Sequence, residues 1–252
     1  MSIKIKKNDF QTAIDSLISS NYTVVFTGAG ISVESGIPPF RGENGLWTKY
    51  NPNFLNTHYF ESHPKESWRL IKEIFYDFFG AAQPNMAHKI IAKWEKQDLV
   101  QSIITQNIDN LHQEAGSKNV IEFHGTAQTL TCMKCNKQYN SSKFLKTLPP
   151  RCPECNGLLK PDFVFFTEPI PSQAYENTIK AATRAELFIL VGTTGEIMPA
   201  SQIPFIANEK GAKFIEINTN PSKYTSSITN IFLQGKATEV FQKLDSLLSG
   251  KI

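Results

Sequence analysis

The sequence predicts an α/β protein built on a doubly wound parallel sheet, with a smaller domain set into it. Three observations carry this. Short apolar runs such as Thr23–Thr27 and 186–191 are nearly continuous, the pattern of strands buried on both faces. Stretches of helical character separate them, giving the strand–helix alternation of such sheets. Two stretches, 40–84 and 131–161, break that rhythm and read as insertions walling a cleft beyond the carboxyl ends of the strands.

The chain opens on an amphipathic helix in which Phe10, Ile14, Leu17 and Ile18 share one face. The first strand, Thr23–Thr27, stops at Gly28. Further strands are expected at Ser102–Thr105, 163–166, 186–191 and 213–217, with helices over 85–97, Ser172–Arg184 and 200–210. The aromatic-rich stretch from Phe40 to Pro84 reads as turns plus helix. The stretch from Thr131 to Pro161 holds every cysteine and the Pro149-Pro150 turn. The organisation expected is a discontinuous, Rossmann-like domain (1–39, 85–130 and 159–252), a helical module (40–84) and a cysteine-bearing module (131–158).

With 252 residues and 40% hydrophobic content, the chain can bury one sizeable core plus a satellite. A net charge of +3 is too small to argue for nucleic acid. Lys4, Lys6 and Lys7 read as a solvated approach to the first helix. No apolar run approaches the roughly 20 residues of a membrane span, and Asp9, Gln11 and Asp15 interrupt any secretory signal. The expected address is the cytoplasm and the expected state a monomer.

Four motifs carry chemistry. Thr27-Gly28-Ala29-Gly30-Ile31-Ser32 places glycines where the first strand ends, which lets backbone approach a phosphate closely. It lacks the third glycine of the dehydrogenase fingerprint, and by itself reads equally as a tight turn. Downstream, Phe40 offers a flat ring and Arg41 a phosphate partner. The second motif, Thr105-Gln106-Asn107-Ile108-Asp109-Asn110-Leu111-His112, crowds amides and a carboxylate at a strand end, more polar groups than helix capping needs. The third is Phe123-His124-Gly125, a histidine with room to act as a base near neutrality. His88 and His112 read as structural, His58 and His63 as surface residues.

The fourth is the strongest. Cys132-x₂-Cys135 and Cys152-x₂-Cys155, separated by sixteen residues, have the spacing of a tetrahedral Cys₄ zinc site. Four thiolates close the coordination sphere, so the ion is expected to be structural.

In this order the motifs closely resemble those of the sirtuin (Sir2-type) family, and the resemblance continues through Lys160-Pro161-Asp162-Phe163-Val164-Phe165-Phe166, Val191-Gly192-Thr193-Thr194 and Ile217-Asn218. It spans residues 20 to 240. The resemblance implies an NAD⁺-consuming protein-lysine deacylase that yields nicotinamide, free lysine and O-acyl-ADP-ribose. It assigns Gly28, Ala29 and Gly30 to the phosphates, and Phe40 and Arg41 to a loop above the cofactor. Gln106, Asn107, Ile108 and Asp109 fall to the ribose and nicotinamide, with Asn107 and Asp109 catalytic beside His124 as general base. Gly192, Thr193, Thr194 and Asn218 fall to the adenosine half. Val164, Phe165, Glu196 and Ile197 would flank an acyl-lysine peptide added as a strand. NAD as co-substrate and one structural zinc ion are the cofactors implied.

The chain departs from the family pattern at Pro39, Thr167, Met198 and Lys236, where Thr167 stands in place of a common glycine. Desuccinylating sirtuins carry a Tyr-x-x-Arg upstream of the Pro-Asn-x-Ala-His segment, and those places hold Lys72 and Phe75 here. The expected acyl groups are therefore acetyl or longer apolar chains, with Phe60, Phe75, Tyr76, Phe78 and Phe79 as candidates for an apolar tunnel. The same pocket could serve mono-ADP-ribosyl transfer to protein, and a non-enzymatic nucleotide-sensing or nucleic-acid-binding scaffold is the remaining alternative.

Overall fold

A computed structural model describes residues 8–40 and 45–251. Lys4, Lys6 and Lys7 lie outside them. Strands β1 (Thr23–Thr27), β2 (Ser102–Thr105), β3 (Val120–Glu122), β7 (Leu187–Val191), β8 (Lys213–Asn218) and β9 (Ile231–Gln234) form one sheet in the order β3-β2-β1-β7-β8-β9. Every pairing in it is parallel. The chain builds outward from β1 to one side, then returns to build on the other. Its direction of growth therefore reverses between β1 and β7, where sheets of this kind bind ligands. The register sets Thr27 level with Thr105 and with Val191, so the motif-bearing strand ends lie side by side.

Both faces of this sheet are covered, as the unbroken apolar runs of β1 and β7 require; every residue in those two strands is buried. Helices Asp9–Ser19, Met86–Lys96 and Ala237–Ser249 supply Phe10, Ile14, Trp94, Phe241 and Leu244 to one face. Helices Ser172–Arg184 and Ile203–Glu209 supply Ala181, Ala182 and Ala207 to the other, against Phe26, Phe188 and Phe214.

The smaller domain has a three-stranded antiparallel sheet, in the order β5-β4-β6, from β4 (Gly125–Cys132), β5 (Gln138–Asn140) and β6 (Leu159–Phe163). Beside it lie helices Thr57–Ser62 and Pro64–Ile71, the latter running into a π-helical segment, Lys72–Phe78. Phe54, Trp68 and Phe75 share one apolar cluster with Leu130, Cys132 and Leu159. Inside it the Trp68 indole donates to the Leu159 carbonyl at 2.9 Å. The helical and cysteine-bearing insertions are therefore halves of one core.

Three expectations are corrected. Ile18 does not share the buried face of the first helix: it is 43% exposed, and Ala13 completes the face with Phe10, Ile14 and Leu17. The run 163–166 is not a strand of the parallel sheet. Only Phe163 is in a strand, the end of β6, and it pairs antiparallel with β4. Phe163 and Phe165 pack into the smaller domain's core, and an apolar run bound for a satellite core has the same composition as a sheet strand. The 200–210 helix is divided into a 3₁₀ turn, Ala200–Gln202, and a helix, Ile203–Glu209.

Candidate active site

The glycines at the ends of β1 and β7 are explained first by packing. The Gly28 amide donates to the Val191 carbonyl at 3.0 Å, and the Gly30 amide to the Gly192 carbonyl at 2.9 Å. A Cβ on Gly30 would lie 2.5 Å from the Gly192 Cα, and one on Gly192 would lie 2.4 Å from the Ile31 nitrogen. Two loops thus meet backbone to backbone at the switch point. Both amides are spent on this loop contact. The chain after Gly28 turns as a 3₁₀ helix, Ala29–Ser35, and the Asn85 side chain holds that turn through the Ile31 carbonyl (2.7 Å) and Ser35 (3.0 Å).

Against this turn packs the polar end of β2. Asn107 Nδ2 donates to the Gly28 carbonyl and to Ser32 Oγ, each at 3.2 Å. Ser32 Oγ in turn donates to Asp109 Oδ2 at 2.7 Å, and the Leu111 amide donates to Oδ1 at 3.1 Å. Burial pushes the Asp109 carboxyl above its usual range, opposed by the Ser32 hydrogen bond and then by the Leu111 amide. A second string runs along the rim: Gln106 Nε2 donates to Thr193 Oγ1 at 3.2 Å, and Asn218 Nδ2 to the Thr193 carbonyl at 2.8 Å. Thr194 is exposed, its hydroxyl 3.5 Å from Glu196.

His124 follows β3, the strand paired with β2. Its Nδ1 lies 2.9 Å from the Gln106 carbonyl. A carbonyl only accepts, so Nδ1 carries the proton and the Nε2 lone pair is left for chemistry. Burial pushes the imidazole below its ordinary value, against the pull of that carbonyl. That direction leaves it neutral at pH 7, with Nε2 as the free acceptor. Gly125 next to it is obligatory: at φ +73° a Cβ would sit 2.1 Å from the Asp162 carbonyl oxygen.

The segment after β6 is fixed to this histidine. The Val164 amide donates to the His124 carbonyl at 2.9 Å, and the Phe166 amide to the Leu55 carbonyl at 2.9 Å. Glu168 accepts from the Phe165 amide (2.8 Å) and pairs with the mostly buried Lys160 at 3.0 Å. The Phe165 ring faces the smaller domain's core. It is 1% exposed, edge-on to Phe60 and under the Lys160 ammonium, so its side chain belongs to the core. Val164 and Ile197 are half-buried and Glu196 is exposed. Phe40 is half-buried and packs on Trp47 with ring centroids 5.4 Å apart. Arg41 lies outside the described residues. Thr167 sits at φ +75°, the left-handed region that a β-branched residue tolerates poorly.

Ser32, Lys160 and Glu168 were not singled out from the sequence. Ser32 and Lys160 stand inside quoted motifs, but only contact shows that they hold the functional groups in place. His88 and His112 are the structural pair expected, both buried with ring centroids 4.9 Å apart. His58 and His63 are exposed, as read from the sequence.

The four cysteines pass the geometric test for a metal. Their sulfurs all lie within 4.8 Å of one another, with Cys132–Cys155 at 3.4 Å and Cys135–Cys152 at 3.7 Å. A tetrahedron with Zn–S bonds of about 2.3 Å has edges of about 3.8 Å, so the set fits zinc. Each Cys-x-x-Cys closes on an asparagine in the left-handed region, Asn136 and Asn156, whose amide returns to the carbonyl of Cys132 or Cys152 at 2.9 Å. Gly157 leaves the space needed; a Cβ there would stand 2.7 Å from Cys132 Sγ.

The Sir2 family model matches residues 28–199. The chain is 44% identical to NAD-dependent protein deacylase 2 of Pyrobaculum aerophilum, over 91% of this chain and 92% of that protein. Among solved structures it resembles a Sir2 complex with a p53 peptide and NAD⁺ (TM-score 0.88, 35% identity, 96% of this chain and 100% of that one). It also resembles a Sir2 variant with a deacetylated p53 peptide and 3′-O-acetyl ADP ribose (TM-score 0.89, 36% identity, 94% and 98% covered). A match of this extent, on a chain whose motifs converge on one sheet edge, places the protein in the Sir2 family.

Proposed function

We propose that this chain is an NAD⁺-dependent protein-lysine deacylase. It transfers the acyl group of N6-acyl-lysine to ADP-ribose, releasing nicotinamide, free lysine and O-acyl-ADP-ribose. The observation that carries the reading is His124: a half-buried imidazole after β3, fixed by the Gln106 carbonyl to the end of the neighbouring strand β2, which carries Asn107 and Asp109. The Nε2 atom accepts the proton of a ribose hydroxyl as the acyl group moves, a role contributing about 10²–10⁴-fold in rate. Asn107 and Asp109, oriented through Ser32, hold the ribose and nicotinamide with Gln106 and Ile108. Gly28, Ala29 and Gly30 shape the phosphate wall, and Phe40 and Arg41 cover it. Gly192, Thr193, Thr194 and Asn218 receive the adenosine half. The peptide enters as a strand between Val164 and the Glu196–Ile197 loop, with the Phe165 backbone at its edge.

The sulfur tetrahedron holds one zinc ion, whose closed coordination makes it a staple of the smaller domain. The chain is divided into 1–39, 85–130 and 159–252, 40–84, and 131–158, with β4 and β6 counted with the smaller domain whose sheet they form. Unbridged cysteines matched to a metal fit a reducing, cytoplasmic address. Among the described residues no helix is long and apolar enough to cross a membrane. The enzyme is read as a monomer that does not require nucleic acid.

Mass spectrometry of acetyl-lysine peptide with and without NAD⁺ tests this directly. NAD⁺-dependent deacetylation with O-acetyl-ADP-ribose is expected, lost by about 10²–10⁴-fold in His124→Ala. Nicotinamide release with ADP-ribose appearing on protein, and no dependence on the acyl group, would instead establish ADP-ribosyl transfer.

A further inference from the structure

Alternate residues of β8 share one face of the sheet, so Phe214, Glu216 and Asn218 stand in a row. Phe214 joins the aromatic cluster on that face, and Asn218 reaches the Thr193 carbonyl. Between them a carboxyl group is 1% exposed. Glu216 Oε2 accepts from Thr225 Oγ1 and from Thr229 Oγ1, each at 2.8 Å. Oε1 has no partner among the described residues. Burying a carboxyl group is costly unless protein hydrogen bonds replace those of water, and two hydroxyls replace only part of them. A leucine would satisfy the apolar cluster at no such cost, so core packing does not account for this residue.

Its two partners belong to the segment that joins β8 to β9. Thr225 Oγ1 also accepts from the Ser222 amide at 2.8 Å, and the Tyr224 carbonyl gathers the amides of Ser227, Ile228 and Thr229 at 3.0 to 3.1 Å. The segment is thus a closed turn anchored on Glu216, with the fully buried Tyr224 inside it. Its other side supports the loop that follows β7. The Lys223 amide donates to the Thr194 carbonyl at 3.1 Å, and the Tyr224 hydroxyl to the Ser201 carbonyl at 3.2 Å. Gly195, at φ +73°, lies flat on the Tyr224 ring, where a Cβ would stand 2.9 Å from two ring carbons. Glu216 therefore sets where Tyr224 sits, and Tyr224 sets the height of the loop. Thr193 and Thr194, proposed to receive the adenosine half, precede Gly195; Glu196 and Ile197, proposed to flank the peptide, follow it.

We propose that Glu216 is a positioning residue for both substrates. Through Thr225, Thr229 and Tyr224 it holds the 193–197 loop in the one shape that receives adenosine before Gly195 and peptide after it. This rests on the deacylase reading and adds to it a residue that acts on both affinities from inside the core.

The test compares the zinc-loaded wild type with Glu216→Leu and Glu216→Gln. Three readouts are taken: amide hydrogen exchange by mass spectrometry, NAD⁺ binding by titration calorimetry, and kcat and KM on an acetyl-lysine peptide. Leucine removes the acceptor and leaves two buried hydroxyls unpartnered; exchange across 193–197, Kd for NAD⁺ and KM for peptide should each rise about tenfold. Because the reacting groups are untouched, kcat should stay within about twofold. Glutamine keeps an oxygen for both threonines and should restore all three quantities to within about twofold of wild type. Should Glu216→Leu fail to fold, Thr225→Val, which leaves the carboxyl group and Thr229 in place, should move the same quantities about threefold. A folded leucine variant with unchanged exchange and Kd overturns the proposal. So does faster exchange spread evenly over the whole chain, the mark of a merely structural role, or a glutamine variant as impaired as the leucine one. A wild type that binds NAD⁺ without deacylating the peptide overturns the deacylase reading alone, since exchange and Kd still decide the role of Glu216.

Discussion

Across the cleft, two regions bury their backbones by different means. In the parallel sheet, β1 and β7 are buried at every position and apolar clusters cover both faces. In the ribbon, β5 has both its ends exposed, and what holds the turns is a knot of four sulfurs. The sheet is long enough in sequence to assemble a core from five helices. The ribbon spans too few residues for that and borrows Trp68 and Phe75 from the helical module. The candidate active site lies where the two meet, with His124 between β3 of one sheet and β4 of the other.

The sharpest way to break this comparison is to remove the metal. Chelation, or Cys152→Ser, should unfold the ribbon, since structural zinc of this type contributes roughly 10–16 kcal/mol. Near-UV circular dichroism with a zinc-release assay should show loss of ribbon structure, with far-UV signal from the parallel sheet largely kept. Simultaneous loss of both would show that the sheet's core is not self-sufficient.

Within the sheet region the corresponding weak point is a glycine contact. Gly30→Ala puts a methyl group 2.5 Å from the Gly192 Cα, so one loop must move. A loss of about 3 kcal/mol is expected in urea denaturation, together with a raised KM for NAD⁺. A change below about 0.5 kcal/mol would show that the loops are not in firm contact.

The His88–His112 pair offers a pH test of the same core. Burial pushes His88 down to about 4, and neither of its ring nitrogens has a protein partner among the described residues. The unfolded chain binds that proton near 6.5, so it holds more protons between about 4 and 6.5, and stability there falls as pH falls. The contribution present above pH 6.5 is about 3 kcal/mol, lost progressively toward pH 4. His88→Leu should flatten that part of the stability–pH curve; an unchanged curve would remove His88 from the account.

The smallest effect is expected on the other side of the cleft. Thr167 holds φ +75° in the segment pinned between His124 and Leu55. Thr167→Gly should relieve strain and raise stability by about 1 kcal/mol or less, since glycine adds entropy to the unfolded chain. Thermal denaturation checks the sign, and a clear loss would show that the threonine side chain contributes a contact that outweighs its strain.

How much of this was legible depended on whether a role is local. The Cys₄ spacing, the strand at Thr23–Thr27 and the helix Ser172–Arg184 were readable because each is set by neighbours a few residues away. The segment 163–166 was misread because composition does not say which core an apolar run will join. β5 and β9 gave too little signal, being short and in part exposed. Ser32 was visible as a motif letter but not as the hydrogen-bonding link between Asn107 and Asp109, which needs a contact spanning more than seventy positions.

Residue type and spacing set the order of chemical groups: glycines after the first strand, amides and a carboxylate after the second, a histidine after the third, and thiols in metal spacing. Those follow from residue type and separation along the chain. Folding alone set Gly28 and Gly30 against the Val191–Gly192 loop, left His124 with Nε2 free, and brought Asp77 onto Lys72. Each of these depends on which atoms face one another across elements or around a helix turn, and that is a property of packing, hydrogen-bond direction and winding.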